Sequence, residues 1–148
     1  LYSHIMIVHL LKPALRCADV HEVALRQQEW QMEHEGRTVY PVWTSRKPTR
    51  ENDLIDGGSV FWIVKGLVQC RQSIWDIIDY QDEGDEKPSF LILCDPQLIR
   101  TQGLPRKPFQ GWRYLTPDKA PPDIGPLDVT EERPPAEMEK ALREAGLL

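Results

Sequence analysis

Cysteine is scarce in this sequence, and the three that are present, Cys17, Cys70 and Cys94, lie far apart without a C-x-x-C pair. An odd number of widely spaced thiols argues against a disulfide framework and against a cysteine-based zinc site, and it indicates reduced, buried thiols in a cytoplasmic protein. The four histidines lie in the first quarter of the chain without metal-ligand spacing. We therefore expect neither a metal nor a cofactor.

Long apolar runs are also missing, since no stretch approaches the 18 residues that a membrane-spanning helix requires. No basic and apolar leader is visible. Leu1–Ile5 resembles an expression remnant, and we assign it no functional role. A surplus of positive charge is absent too, because the net charge of the 148 residues is −5. This balance argues against non-specific coating of nucleic acid by the whole molecule.

The charge is nevertheless distributed unevenly along the chain. Residues Asp79–Glu86 contain five acids and no base, whereas Ser45–Arg50 and Arg100–Arg113 carry only basic charge. Local basic patches can bind anions on an acidic protein. We therefore expect any anion site to involve one of these two basic segments.

The apolar pattern predicts one helix in the first third of the chain and a series of strands. The helix extends from Val20 to Glu35, with Asp19 as N-cap, Glu22 completing a capping box, and Gly36 as the terminating residue. A further helical turn is predicted at Arg50–Ile55, and Asp56–Ser59 is a turn signal. The predicted strands are Ile5–Leu11, Thr38–Thr44 as an edge strand because of Pro41, Val60–Val64 as a central strand, Gln72–Tyr80, Phe90–Cys94, Leu98–Thr101 and Trp112–Leu115.

This order of elements predicts an α+β domain over residues 1–115. Its sheet is expected to be mostly antiparallel or to form a small open barrel of the PUA-like kind, with the N-terminal helix packed on it. Residues 116–148 are predicted to form a proline-rich acidic strap followed by a C-terminal helix, Ala136–Ala145. The size of the chain is consistent with one hydrophobic core.

The most unusual stretch is Lys107–Leu115, which reads Lys-Pro-Phe-Gln-Gly-Trp-Arg-Tyr-Leu. Phe109, Trp112 and Tyr114 are interleaved with Gln110 and Arg113, and no acidic residue stands between Gln97 and Pro117. Aromatic faces with guanidinium groups between them suit stacking on unpaired bases while phosphates are neutralised. The alternative interpretation is a hydrophobic strand whose arginines point to solvent or pair with internal carboxylates.

A second polar segment, Lys65–Arg71, follows the predicted central strand. If it lies beside Arg106–Arg113, the two segments form the rims of one cleft that binds RNA or a modified nucleotide. In that hypothesis the aromatic residues stack a base, Gln110 reads a base edge and the cations hold phosphate. The candidate ligand-binding residues are Lys65, Arg71, Arg106, Lys107, Phe109, Gln110, Trp112, Arg113 and Tyr114.

Catalytic patterns are weak, so a binding protein is the first hypothesis and no catalytic residue is assigned. Cys94 has no identifiable histidine base, and His9 within an apolar run is typical of a hydrogen-bonded core histidine. One alternative is a small enzyme acting on a nucleotide-like ligand, with Lys65 or Asp56 in acid–base chemistry. Another is a protein-interaction domain with a basic and aromatic face. The sequence does not indicate an oligomeric state.

Two motifs carry a resemblance to a known family. These are Asp-Gly-Gly-Ser-x-x-Trp-x-x-Lys-Gly over Asp56–Gly66, and Pro-Phe-Gln-Gly-Trp-Arg-Tyr-Leu over Pro108–Leu115. Together with Ala120–Asp123 they resemble a family of small bacterial proteins that form a domain of unknown function. The likeness covers nearly the whole chain, and it implies no activity, because none is assigned to the family.

Overall fold

The computed structural model describes residues 6–81, 84, 87–128 and 146. Two helices are present in this part of the chain, α1 (Val20–Glu29) and α2 (Glu51–Ile55), with one 3₁₀ turn at Pro117–Lys119. The strands are β1 (His9–Pro13), β2 (Met32–His34), β3 (Arg37–Thr44), β4 (Ser59–Val64), β5 (Leu67–Tyr80), β6 (Ser89–Cys94), β7 (Ile99–Pro105), β8 (Arg113–Leu115) and β9 (Asp123–Pro126).

The nine strands form one open, mixed sheet. Its main order is β2-β3-β6-β5-β4-β1-β8, while β7 pairs with β5 and carries β9 on its other side. The β1–β4 pair is parallel, and the remaining pairs are antiparallel. The expectation of an α+β fold with a mostly antiparallel sheet is therefore confirmed, whereas the PUA-like assignment stays a prediction.

Strand β5 is the element that joins the two halves of the sheet. Its first half lies between β4 and β7, and its second half pairs with β6. A register shift between Ile74 and Asp76 marks the change of neighbour. The strand begins at Leu67, five residues before its predicted start at Gln72, because Lys65 and Gly66 form a tight turn with φ values of 49° and 79°. Two consecutive positive φ angles match the hairpin turns that suit the twist of antiparallel strands.

Helix α1 begins as the sequence predicts, and it ends earlier. The Asp19 side chain accepts a hydrogen bond from the Glu22 amide at 2.9 Å, and the Glu22 carboxylate accepts one from the Ala18 amide at 3.0 Å. The prediction that the helix continues to Glu35 is wrong, since Met32–His34 is strand β2 and forms a hairpin with β3. Cross-strand pairing with β3 overrides the helix propensity of this stretch.

Strands β1, β3 and β7 also differ from the prediction. Strand β1 starts at His9 instead of Ile5 and includes Pro13, while β7 continues past Thr101 to Pro105. Strand β3 pairs with β2 along Arg37–Val39 and with β6 along Tyr40–Thr44, so each of its two parts has one paired neighbour among the described residues. Pro41 lies in that second part of β3, where its missing amide donor leaves no broken ladder toward β2.

The main core lies between α1 and the inner face of the sheet. It contains Val23 and Ala24 of α1 together with Leu10, Trp62 and Ile92 of the sheet. A second cluster on the other face of β1, β4 and β8 comprises Leu11, Phe61, Ile63, Val68 and Leu115, with Phe109 packed against it. Strand β4 is buried along its whole length, which confirms its prediction as a central strand.

Gly58, in the predicted turn, is explained by close backbone packing. A Cβ atom at this position would lie 2.4 Å from the carbonyl oxygens of both Leu54 and Val8. The Gly58 amide also donates a hydrogen bond to the Leu54 carbonyl oxygen at 2.9 Å. The turn therefore brings α2 against the start of β4, which is a structural role for the motif.

The strap after β8 contributes a strand to the sheet. Strand β9 pairs with β7, and Leu127 is buried in the main core. The predicted C-terminal helix, Ala136–Ala145, lies outside the described residues. Within the described ranges, neither helix has the length and apolar character needed to cross a membrane.

Candidate functional site

The Lys107–Leu115 segment divides into an internal part and an exposed part. Trp112 belongs to the internal part, because only 5% of its surface is exposed. Its indole Nε1–H donates to the Arg46 carbonyl oxygen at 3.0 Å, and the Arg46 guanidinium donates back to the Trp112 carbonyl oxygen at 2.9 Å. The same guanidinium lies 3.9 Å from the ring centroid. Trp112 is therefore buried and does not present an open face for stacking.

Tyr114 is also held by the basic loop that precedes α2. Its hydroxyl oxygen accepts a hydrogen bond from the Arg50 amide at 3.1 Å, and its ring packs edge-to-face on Trp112 with centroids 4.9 Å apart. The two predicted basic segments therefore contact each other, with the arginines of one covering the aromatics of the other. This contact anchors β8 against the loop between β3 and α2.

Phe109 and Gln110 belong to the exposed part of the segment. Phe109 is half-buried with the Arg113 guanidinium 4.3 Å above its ring, and Gln110 is exposed. Gly111 has a φ of 81°, a conformation that glycine adopts without steric cost, and it separates the exposed part from Trp112. Of the three predicted stacking residues, Phe109 thus remains at the surface.

Arg71 is engaged in a structural ion pair. Its guanidinium donates to both carboxylate oxygens of Asp123 at 2.8 and 2.7 Å and to the Ser59 hydroxyl at 3.0 Å. The hydrogen bonds from Arg71 hold the pKa of Asp123 below its usual range. These contacts tie β9 to β5 and leave Arg71 little capacity for a phosphate.

Lys65 and Arg106 are brought together, as the cleft hypothesis requires. Leu67 is the register partner of Pro105, and the Arg106 amide donates to the Gly66 carbonyl oxygen at 2.8 Å. The Lys65 side chain is exposed in the hairpin turn, and Lys107 is exposed immediately after Arg106. This end of the sheet therefore carries several cations side by side.

A pocket opens at the same end of the sheet and contains a lysine that sequence reasoning missed. Its volume is about 340 Å³. We call it the lysine pocket, and its lining residues are Lys12, Pro13, Leu15, Pro108, Phe109, Gln110 and Gly111. Lys12 lies at the C-terminal end of β1, and the exposed part of the Lys107–Leu115 segment forms the opposite wall.

Lys12 has no charge partner in the described part of the chain: it forms neither an ion pair nor a side-chain hydrogen bond there. Burial lowers the pKa of Lys12, because removing the ammonium group from water disfavours its charged form. No carboxylate is among the described residues that line the lysine pocket. An anion in this pocket would therefore meet an ammonium group that has no competing internal partner.

The cations near the lysine pocket are also unpaired within the described part of the chain. Across residues 6–81 and 87–128, Lys65, Arg106 and Lys107 take part in no ion pair. Four cations in other regions have carboxylate partners, whereas Arg37, Arg46 and Arg100 also form no ion pair among the described residues. The pairs are Arg26 with Glu22, Lys47 with Glu51 and Asp79, Arg50 with Asp53, and Arg71 with Asp123.

The other residues considered for chemistry do not converge on this pocket. Asp56 precedes β4 and Lys65 follows it, and this strand is roughly 17 Å long at the usual rise per residue, so the two residues lie at opposite ends of β4. Cys94 is fully buried, and this burial strongly raises the pKa of its thiol. His9 accepts a hydrogen bond from the Ser59 amide at its Nδ1 atom, 3.0 Å away, and burial lowers its pKa. These are the features of a core histidine and a structural thiol.

One group of potential metal ligands occurs near the β2–β3 turn. His34 Nε2 lies 2.9 Å from a carboxylate oxygen of Asp76 and 3.9 Å from one of Glu35. The short distance is explained by a hydrogen bond between His34 and Asp76. Glu35 is exposed, so the cluster has the character of a surface ion pair.

Comparison with protein families gives a match over residues 10–148 to a family described as a protein of unknown function, DUF1489. The chain belongs to the DUF1489 family. The match confirms the resemblance inferred from the two motifs and brings no activity with it. Neither the curated proteins nor the solved structures provide a match.

Membership of DUF1489 assigns no residue to a functional site. The signal for Lys12 was present in the sequence, because a lysine follows the apolar run Val8–Leu11 just before Pro13. Its significance depends on a wall contributed by Pro108–Gly111, about one hundred positions along the chain. No local pattern reports such a contact.

Proposed function

We propose that this protein binds single-stranded RNA or a nucleotide through the lysine pocket and the cations around it. The observation that supports this most strongly is the half-buried, unpaired Lys12 inside a pocket with no described carboxylate in its lining. Leaving a lysine partly desolvated without a partner is unfavourable for the folded protein. A phosphate oxygen in the pocket would supply the missing partner.

The shape of the pocket suits a phosphate attached to a planar group. Phe109 contributes part of its ring to the lining, and Gln110 offers an amide that can both donate and accept hydrogen bonds. A volume of about 340 Å³ lies at the lower end of the range for small-molecule sites. One nucleotide fits this size, with flanking phosphates near Lys65, Arg106 and Lys107.

The proposal retains part of the site predicted from sequence. Lys65, Arg106, Lys107, Phe109, Gln110 and Arg113 are available at this end of the molecule. Trp112 and Tyr114 are assigned instead to supporting the wall of the pocket, and Arg71 to holding β9. Lys12 takes the central phosphate position in this arrangement.

The experiment is a binding titration of a labelled 12-nucleotide single-stranded RNA at about 50 and 200 mM salt. Lys12→Met is expected to weaken binding about tenfold, since hydrogen bonds to charged groups are among the stronger ones. It should also reduce the dependence on salt by nearly one released counterion. The matched control is Lys87→Met, which removes the same charge from an exposed position beside the acidic connection between β5 and β6.

Two results would contradict the proposal. One is the absence of wild-type binding at the lower salt concentration. The other is equal weakening by Lys12→Met and Lys87→Met, which would reduce the effect of Lys12 to overall charge. A urea unfolding curve for each variant shows whether the fold is kept.

A further inference from the structure

A second pocket lies between α1 and the outer part of the sheet, and it is lined by aromatic residues. We call it the aromatic pocket. Its volume is about 550 Å³, and its lining residues are Arg26, Gln27, Trp30, Pro41, Trp43 and Tyr80. None of these residues belongs to the two family motifs.

The three aromatic rings in this pocket contact one another and still face solvent. Trp30 and Trp43 meet edge-to-face with centroids 5.6 Å apart, and Trp43 meets Tyr80 at 6.3 Å. Trp30 is 62% exposed and Trp43 is 42% exposed. No described cation lies over the ring of Trp30 or Trp43, in contrast to Trp112 and Trp75. Open aromatic faces of this kind are suited to stacking with a flat ring.

Gln27 provides a polar group in the lining, and a chain of hydrogen bonds determines its orientation. The Trp62 indole N–H, which can only donate, binds Gln72 Oε1 at 2.7 Å. Gln72 Nε2 then donates to the Asp95 carbonyl oxygen at 3.1 Å. Gln27 Nε2 therefore must donate to the same Gln72 oxygen, at 2.6 Å.

This orientation leaves Gln27 Oε1 as a buried acceptor without a partner in the described residues. Gln27 itself is 9% exposed, so water has little access to it. A buried acceptor without a hydrogen bond is unfavourable and calls for an explanation. Gln27 lines the aromatic pocket while its Oε1 atom is closed to water, so a ligand N–H group would reach this atom after a small movement of the Gln27 side chain.

The aromatic pocket and the lysine pocket are neighbours. Arg26 lines the aromatic pocket, and its guanidinium donates to the carbonyl oxygen of Leu15 at 3.0 Å and also to that of Arg16. Leu15 is 74% exposed and lines the lysine pocket. The short Leu15–Arg16 stretch with Arg26 therefore separates the two pockets, and Arg16 is an exposed cation between them that forms no ion pair among the described residues.

We infer that the aromatic pocket binds a nucleobase of the same RNA strand whose phosphate occupies the lysine pocket. The inference rests on the proposed function and assigns base contact to Trp30, Trp43 and Tyr80. A nucleobase supplies the flat ring that the tryptophans can stack and the N–H donors that Gln27 lacks. The phosphates of the linking nucleotides would pass the exposed cation Arg16.

The test compares two labelled 12-nucleotide strands of equal charge, one of ordinary RNA and one with abasic residues throughout. Wild-type protein is expected to prefer the RNA about tenfold, the size of effect expected for stacking of one base. Trp30→Ala should remove most of this preference. Trp30→Phe should keep most of it, because a phenyl ring still stacks.

The matched control is Leu25→Ala, which truncates another exposed apolar residue of α1 outside the pocket. Quenching of tryptophan fluorescence by the RNA provides an independent reading, since Trp30 and Trp43 are the exposed tryptophans among the described residues. It should fall in Trp30→Ala and stay at the wild-type level in Leu25→Ala.

The outcomes separate this inference from the proposed function. If Lys12→Met weakens binding of both strands while Trp30→Ala leaves the base preference intact, the aromatic pocket is not the base site and the lysine pocket stands. Equal affinity of wild-type protein for the two strands also overturns the inference, and it removes the base contacts of Phe109 and Gln110 from the proposed function while phosphate binding at Lys12 stands. If wild-type protein binds neither strand, both proposals are overturned.

Discussion

Two aromatic regions of this protein differ in what lies over their rings. In the Lys107–Leu115 segment, Arg46 lies over Trp112 and Arg113 lies over Phe109, at 3.9 and 4.3 Å from the ring centroids. In the aromatic pocket, the rings of Trp30 and Trp43 meet edge-to-face, have no described cation over them and remain exposed. Arginine beside aromatic residues in a sequence can therefore indicate internal packing as readily as a binding surface.

The comparison assigns different roles to tryptophans that look alike in the sequence. Trp112 holds the loop at Arg46 to β8, and its indole and carbonyl groups are both satisfied. Trp30, at the C-terminal end of α1, is exposed, and we expect it to contribute much less to the stability of the fold. Unfolding measurements on matched variants test this difference, beginning with the largest expected effect.

Replacing Trp112 by alanine is expected to lower the free energy of unfolding by about 3 to 5 kcal/mol, because it empties a large buried volume. Replacing Trp30 should change the same quantity by about 0.5 kcal/mol or less, as for other exposed side chains. Urea unfolding at pH 7 measures both. Similar losses for the two variants would show that the contrast between the regions is mistaken.

The arginines that lie over Trp112 and Phe109 are also expected to contribute unequally to the free energy of unfolding. Arg46→Ala loses the contact with the Trp112 ring and a hydrogen bond to its carbonyl oxygen, and we expect a cost of about 2 kcal/mol. Arg113→Ala loses one contact with Phe109 at an exposed position, and about 0.5 kcal/mol is expected. Urea unfolding again provides the measurement, and a larger loss for Arg113→Ala would reverse the ranking.

Smaller changes in the free energy of unfolding are expected when Arg71 and Lys12 are replaced, and the two changes should have opposite signs. Arg71→Met breaks the paired contact with Asp123 and should lower the free energy of unfolding by about 1 kcal/mol at pH 7. Lys12→Met removes a partly desolvated ammonium without a partner and should raise it by about 0.5 kcal/mol. Destabilisation by Lys12→Met would indicate that the lysine has a structural partner.

The pH dependence of the free energy of unfolding tests the roles of Arg71 and Lys12 in a second way. The pKa of Asp123 is held down by Arg71, so the pair stabilises the fold fully above about pH 4 and loses its effect as the pH falls through the folded-state pKa of Asp123. The pKa of Lys12 is lowered by burial, so the native state binds fewer protons than the unfolded chain at alkaline pH. Stability should therefore rise toward about pH 10.4, and this rise should be smaller in Lys12→Met.

Much of the fold could be predicted because local patterns carry it. The Asp19 cap and the buried run of β4 were predicted from composition and spacing alone. The end of α1 was not, because Met32–His34 forms a strand only through pairing with β3. The early start of β5 follows from a two-residue turn, whose φ angles the sequence indicated only through Gly66.

The candidate site was predictable only in part for the same reason. The sequence placed cations at Lys65, Arg106 and Lys107, and the pairing of β5 with β7 brings the segments that carry them together. It could not show that Arg71 meets Asp123, more than fifty positions away, or that Arg46 covers Trp112. It also gave no reason to select Lys12 over other lysines.

By itself, the sequence determined the class of the fold, its family and the side chains available for recognition. Those properties follow from local apolar periodicity, turn residues and motifs, which act over a few positions. The tertiary structure alone decided which aromatic rings are covered and which cations remain unpaired. Burial and ion pairing depend on contacts between distant segments, and those contacts separate the internal Trp112 from the open Trp30 and the paired Arg71 from the unpaired Lys12.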